Sequence, residues 1–240
     1  MTTSIATNIG DMPLYTAGDP AHSRAAVVVI QEAFGVTAHI ERCCDRLADA
    51  GYFAVAPALF HRTTTDSFAY DDFEHAMPHM GALGKEGIEA DLAAVAAHLG
   101  TLGFERPRRG IVGFCMGGLV AFVAATLGEF GAAVTFYGGG VTTGRFGYPP
   151  LVEIADRVNT PWLGCYGDLD KGIPPEDVEQ LRRAVVGAAA LTEVVRYPDA
   201  DHGFNCEDRP AVYNPDAAKD AWARMLAFFE ADLGTTGSSA

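Results

Sequence analysis

Ala25 to Ile30 reads AAVVVI, six apolar residues with no polar alternation. A strand of that kind has no face to offer water, so it belongs inside a sheet covered by helices on both sides. Tyr52 to Ala56, Gly110 to Phe114, Ala132 to Tyr137, Pro161 to Tyr166 and Thr192 to Tyr197 repeat the theme, and helical periodicity separates most of them. Thr37 reads as the N-cap of a helix whose apolar residues Ile40, Cys43, Cys44, Leu47 and Ala48 share one face before Gly51 ends it. That face makes Cys43 and Cys44 small buried apolar residues. Ile88, Leu92, Val95, Ala96 and Leu99 mark a second helix, and Met116 to Leu127 and Glu176 to Val186 two more. Asn214-Pro215 opens a closing helix with Trp222, Met225, Leu226 and Phe229 on one side. The alternation predicts an α/β fold with a mostly parallel sheet.

The 240 residues, 49% hydrophobic and 20% charged, are expected to form one domain over 1–240, with 234–240 (GTTGSSA) a frayed tail. Seventeen Lys and Arg against 31 Asp and Glu give a net charge of −14, which repels nucleic-acid backbones and anionic lipid surfaces. Met1 to Asp11 lacks the charged and apolar regions of a secretory signal, and no run approaches the ~18 apolar residues of a membrane span. Five scattered cysteines, an odd number, indicate a reducing compartment, so the cytoplasm is expected. His61 to Gly84 and Gly138 to Pro150 break the alternation; irregular connections of that length are expected to wall a binding site.

The chemistry concentrates in Gly113-Phe114-Cys115-Met116-Gly117-Gly118, a strand running through a glycine-flanked turn into an apolar helix. The spacing matches the nucleophile elbow of α/β-hydrolases with Cys in place of Ser. The helix start and the backbone N–H of Met116 face any oxyanion formed there and favour a thiolate. A phosphate-binding turn is the competing reading. It lacks a Gly-Lys-Ser/Thr ending, and Ile30-Gln31-Glu32 lacks a dinucleotide fingerprint, so no cofactor is expected. Asp168 or Asp170 after one strand, and His202 after the next, complete the order nucleophile, acid, His at the carboxyl ends of parallel strands. Cys115 would attack a carbonyl, His202 move the proton and the Asp hold the imidazole. Most of the other six histidines are expected to be solvated. His75 and His79 stand at helical spacing, but Pro78 breaks the helix between them and no third ligand is evident, so no metal is expected.

Together with Gln31-Glu32-Ala33-Phe34-Gly35, Ala56-Pro57-Ala58-Leu59-Phe60, Tyr166-Gly167-Asp168-Leu169-Asp170-Lys171-Gly172-Ile173-Pro174 and His202-Gly203-Phe204, the elbow resembles the dienelactone hydrolase (carboxymethylenebutenolidase) family over about residues 12–232. The resemblance implies an α/β-hydrolase fold and a cofactor-free, cysteine-dependent hydrolase of a small ester, lactone or thioester. It selects Asp170 over Asp168. It assigns Glu32 the proton of the resting thiol, and it adds the backbone N–H of Ala33 to that of Met116 as the oxyanion hole. Phe34, Tyr137 and Phe204 would contribute an apolar pocket. The family's lactone-cleaving members hold a substrate carboxylate with two arginines; here Cys206 stands at one place and Thr63 to Gly84 holds no Arg. Arg62, Lys85, Lys171 and Arg209 are the cations available instead. The rival expectation is a thiol redox sensor or non-catalytic binding module on the same fold, with Cys115 and Cys206 as its pair, against which Cys206 is a loop cysteine with no partner.

Overall fold

The computed structural model describes residues 1–7 and 10–234. Eight strands, β1 (Thr2–Thr7), β2 (Gly10–Ala17), β3 (Ala25–Ile30), β4 (Tyr52–Pro57), β5 (Arg109–Phe114), β6 (Ala132–Phe136), β7 (Trp162–Gly167) and β8 (Thr192–Tyr197), form one sheet in the order β1-β2-β4-β3-β5-β6-β7-β8. The strands from β3 to β8 run parallel, while β2 joins β4 and β1 joins β2 antiparallel. Seven helices, α1 (Ala38–Asp49), α2 (Phe73–Gly81), α3 (Lys85–Thr101), α4 (Met116–Leu127), α5 (Leu151–Ile154), α6 (Pro175–Ala184) and α7 (Pro215–Asp232), cover both faces. This is the α/β-hydrolase arrangement.

The run at β3 shows why two layers are needed. All six residues are buried, and the side-chain period of two sends Ala26, Val28 and Ile30 into one core and Ala25, Val27 and Val29 into the other. The first core holds Ile88, Leu92, Val95 and Leu99 of α3 with the apolar faces of α4 and α6. The second holds Ile40, Cys43, Cys44 and Leu47 of α1 with Trp222, Met225 and Phe229 of α7. Helix α4 is apolar nearly all round because it is buried nearly all round.

Four local expectations need correction. The hairpin β1–β2 was not foreseen, because its polar and small residues bury only Ile5, Met12 and Leu14. Pro78 does not break a helix: α2 runs through it, with Asp72 capping the His75 N–H and Ala76 and Met80 buried beneath. Thr37 is the residue before α1, but its hydroxyl meets Tyr70 Oη at 3.0 Å and does not cap. The N–H of Gly234 donates to the Pro107 carbonyl at 2.8 Å, so it is held; the rest of the expected tail, 235–240, lies outside the described residues. Among the described residues, no helix is long and apolar enough to cross a membrane.

Candidate active site

Cys115 sits between the end of β5 and the first turn of α4 with φ 56° and ψ −118°, a conformation that L-residues rarely adopt. The glycines on either side permit it by letting backbones touch. A Cβ at Gly113 would collide with the Gly117 carbonyl, and one at Gly117 would lie 2.5 Å from the carbonyl oxygens of Ile30 and Gln31. The strained turn lifts the thiol out of the sheet. Cys115 is the one half-exposed cysteine of the five, and all five are free thiols.

Beyond β7, Asp170 turns back beneath its own loop. Its Oδ1 accepts from the Gly172 N–H at 2.8 Å and the Ile173 N–H at 3.2 Å, leaving Oδ2 to meet His202 Nδ1 at 2.6 Å. With Asp170 buried, those three contacts fix both the carboxylate and the imidazole plane. Asp168 has a different job: both of its oxygens receive the Arg196 guanidinium, each at 2.7 Å. The structure thus separates the two acids that spacing alone left open.

His202 lines the same cavity as the Cys115 thiol. Burial alone would lower its pKa, but the neighbouring Cys115 and the Asp170 contact outweigh burial and push it up to about 10. The arrangement therefore favours a protonated imidazole. Tyr137, left-handed at φ 39°, packs its ring 5.1 Å from the imidazole.

Glu32 follows β3 and is almost wholly buried. Its Oε1 accepts from Tyr137 Oη at 3.3 Å, while Oε2 has no partner among the described residues. Its charge acts on Tyr137, Tyr70 and Cys206. The backbone N–H groups of Ala33 and Met116 have no acceptor among the described residues. Phe68 N–H donates to the Phe34 carbonyl at 2.9 Å, tying the Glu32–Phe34 loop to the segment after β4.

A cavity of about 420 Å³ opens at Cys115 and His202. Met116 and Leu119, the loop after β6 (Gly139, Gly140, Thr143, Gly144, Arg145) and Gly172 and Ile173 complete its lining. The Gly138 to Pro150 segment is therefore one wall. Phe34, Tyr137 and Phe204 do not line it: Tyr137 and Phe204 are fully buried and pack edge-to-face at 5.2 Å, and Phe34 packs edge-on against Tyr70 and Phe73.

Of the cations considered, Arg62 is consumed by Asp91, which it grips at 2.5 and 2.8 Å, and Lys85 lies over the Tyr148 ring. Arg209 lies over Tyr70 and against Gly203, and Lys171 is exposed. The cation that does line the cavity is Arg145, hidden in the sequence by a glycine-rich loop with no motif. Of the six other histidines, most of them expected in solvent, two have buried side chains. His39 stands edge-on to Phe114 with burial lowering its pKa, and His61 meets Asp91 at 3.2 Å. His75 and His79 pair with Asp72 and Thr63, and no metal-binding cluster occurs among the described residues. Cys206 is buried beside Tyr70, its thiol pushed up to about 12 by burial and by Glu32.

Residues 12–233 match the sequence profile of the dienelactone hydrolase family. A Salmonella typhimurium protein named "Putative carboxymethylenebutenolidase" is 40% identical over 240 residues, covering 98% of this chain and 88% of that protein. The carboxymethylenebutenolidase of Rhodococcus opacus is 28% identical over 95% of this chain and 89% of its own length. The crystal structure of "Putative Dienelactone Hydrolase" from Klebsiella pneumoniae superposes with a TM-score of 0.86 at 37% identity, covering 96% of this chain and 98% of that one.

Proposed function

The chain belongs to the dienelactone hydrolase family, a hydrolase acting on ester or lactone bonds, and from that premise we propose that it works as a cysteine hydrolase through an acyl-enzyme on Cys115. The observation that carries the reading is the line of hydrogen bonds from the Gly172 and Ile173 amides through Asp170 to His202, which shares the lining of one cavity with Cys115.

The thiolate of Cys115 attacks the substrate carbonyl, and the resulting oxyanion accepts from the N–H groups of Met116 and Ala33. As the tetrahedral species collapses, the C–O bond to the leaving group breaks and the His202 imidazolium delivers its Nε2 proton to the departing oxygen. Water then attacks the thioester. Neutral His202 takes its proton, and the carboxylic acid leaves with the thiolate restored. Asp170 keeps Nδ1 protonated throughout, so Nε2 is the nitrogen that exchanges protons.

Glu32 supplies the resting state. Its unpartnered Oε2 is a buried acceptor in want of a donor, and the thiol of Cys115 is the donor this reading assigns. The substrate is a small ester, lactone or thioester, matched in scale to a cavity of about 420 Å³. A single domain and a cytoplasmic setting accord with this reading.

The test is hydrolysis of p-nitrophenyl acetate and butyrate, a thioester and a dienelactone by wild type, Cys115→Ala and His202→Ala. Turnover abolished by both substitutions supports the mechanism. Turnover unaffected by Cys115→Ala removes it.

A further inference from the structure

Resting on the ester-hydrolase reading above, we propose that the loop after β6 forms an anion subsite in which Arg145, the Gly139 and Gly140 amides and the Thr143 hydroxyl hold an anionic oxygen group, carboxylate or phosphate, carried by the substrate away from its scissile carbonyl.

The lining of the cavity runs against the net charge of the chain. The chain carries 31 acidic residues and a net charge of −14, yet none of those acids lines the cavity, while Arg145 and His202 both do. Against the net negative charge of the chain, Arg145, His202 and the start of α4 give an anion a local attraction in this cavity.

Arg145 is also spare. Arg24, Arg42, Arg62, Arg196 and Arg224 each meet a carboxylate oxygen. Among the described residues Arg145 meets none. Its one hydrogen bond runs to the thioether of Met80 at 3.8 Å, a weak acceptor that leaves most of its donors free. Its backbone is nevertheless fixed: Arg145 and Tyr148 bridge across a tight reversal in which Phe146 and Gly147 are both left-handed (φ 55° and 80°). Tyr148 is anchored below by its hydroxyl, which reaches the Lys85 carbonyl at 3.3 Å. The guanidinium therefore swings from a rigid base, which limits the entropy lost when it closes on a ligand.

The same loop supplies neutral donors. The amides of Gly139 and Gly140 and the Thr143 hydroxyl have no partner among the described residues. A Cβ at Gly139 would meet nothing within 4 Å, so the backbone there borders open space. Gly140 is left-handed (φ 81°), and a Cβ on it would lie 2.5 Å from Leu119 Cδ1. Glycine is thus required where the chain turns along the cavity, and free amides beside a guanidinium make a cradle for an oxyanion.

The experiment compares kcat/KM for 4-nitrophenyl hydrogen glutarate, which carries a terminal carboxylate, with that for neutral 4-nitrophenyl pentanoate. In Arg145→Gln the anionic-to-neutral ratio is expected to fall at least about tenfold, mostly through KM, as for loss of a charge-assisted hydrogen bond. Arg145→Lys restores part of it. Salt lowers the ratio in wild type but not in Arg145→Gln. Titration calorimetry with free glutarate and with inorganic phosphate reads the subsite without turnover and tells the two anions apart. Weaker binding of either by Arg145→Gln supports the proposal, and the tighter-bound one names the group. A ratio unchanged within about twofold, or equal anion binding by wild type and Arg145→Gln, overturns it. Failure of the cysteine mechanism has a separate signature, since both esters would then be hydrolysed undiminished by Cys115→Ala.

Discussion

Replacing Asp170 by Asn tests the relay at its least visible member. The amide would still accept the Gly172 and Ile173 N–H groups with its oxygen, because Oδ1 and its two donors are fixed by the loop. Its NH2 would then replace Oδ2, 2.6 Å from His202 Nδ1, and present a donor to a donor. The imidazole answers by moving its proton to Nε2, the nitrogen that must serve Cys115. Losing a charge-assisted hydrogen bond alone costs about 1.5–3 kcal/mol, or roughly 10- to 150-fold in rate. The wrong tautomer adds to this, and the same exchange in the Ser-His-Asp triad lowers kcat about 10⁴-fold. We therefore expect kcat/KM for p-nitrophenyl butyrate to fall between about 10² and 10⁴, with the far-ultraviolet circular dichroism unchanged. Asp168→Asn is the matched comparison. It loosens Arg196, which keeps Glu179 at 2.9 Å, so its cost is about 1 kcal/mol of stability with near-normal turnover. If Asp168→Asn proves the more damaging to kcat/KM, the acid has been misassigned.

His202 has its pKa raised to about 10, so the protonated ring contributes stability fully below pH ~6.5 that is lost as pH rises through about 10; the alkaline limb of kcat/KM should follow the same ionisation. Cys115→Ala removes the chief influence opposing burial, and NMR titration of the His202 ring should then show its pKa displaced downward by more than a unit, roughly. Gly117→Ala forces a Cβ to 2.5 Å from two carbonyl oxygens and should cost about 3 kcal/mol or more in urea unfolding. Arg62→Ala leaves the buried Asp91 carboxylate with only His61 and should destabilise by about 2–4 kcal/mol in the same assay. Iodoacetamide should modify the folded protein once, at Cys115, because Cys43, Cys44, Cys165 and Cys206 are buried; peptide mapping checks this.

The central strands of the parallel sheet were legible because burial on both faces writes itself as continuous apolar runs, as at β3, which coincides with the sequence reading; β8 coincides too, although it is an edge strand in which only Val194 is buried. The elbow was legible because its glycines are imposed by backbone contact, which leaves little choice of residue. What escaped had weaker writing. The edge hairpin β1–β2 buries one side of a few residues, and α2 carries a proline that local rules count against a helix. Asp168 and Asp170 share one short segment, and only the fold reveals which side of it faces Arg196 and which faces His202. Tyr137 and Phe204 read equally well as pocket or core, since aromatic character does not say on which side of the backbone a cavity opens. Arg145 had no motif at all: its place beside Cys115 depends on a loop that folds across the sheet.

The central claim is a covalent acyl group on Cys115, and mass spectrometry of the protein quenched in acid during turnover of p-nitrophenyl butyrate tests it most directly. The account predicts a mass increase of one butyryl group, mapped to the peptide holding Cys115, enriched in a His202→Ala protein and absent from Cys115→Ala. Steady hydrolysis by wild type with no adduct at Cys115 in any of these samples, or an adduct on another residue that Cys115→Ala retains, would contradict it.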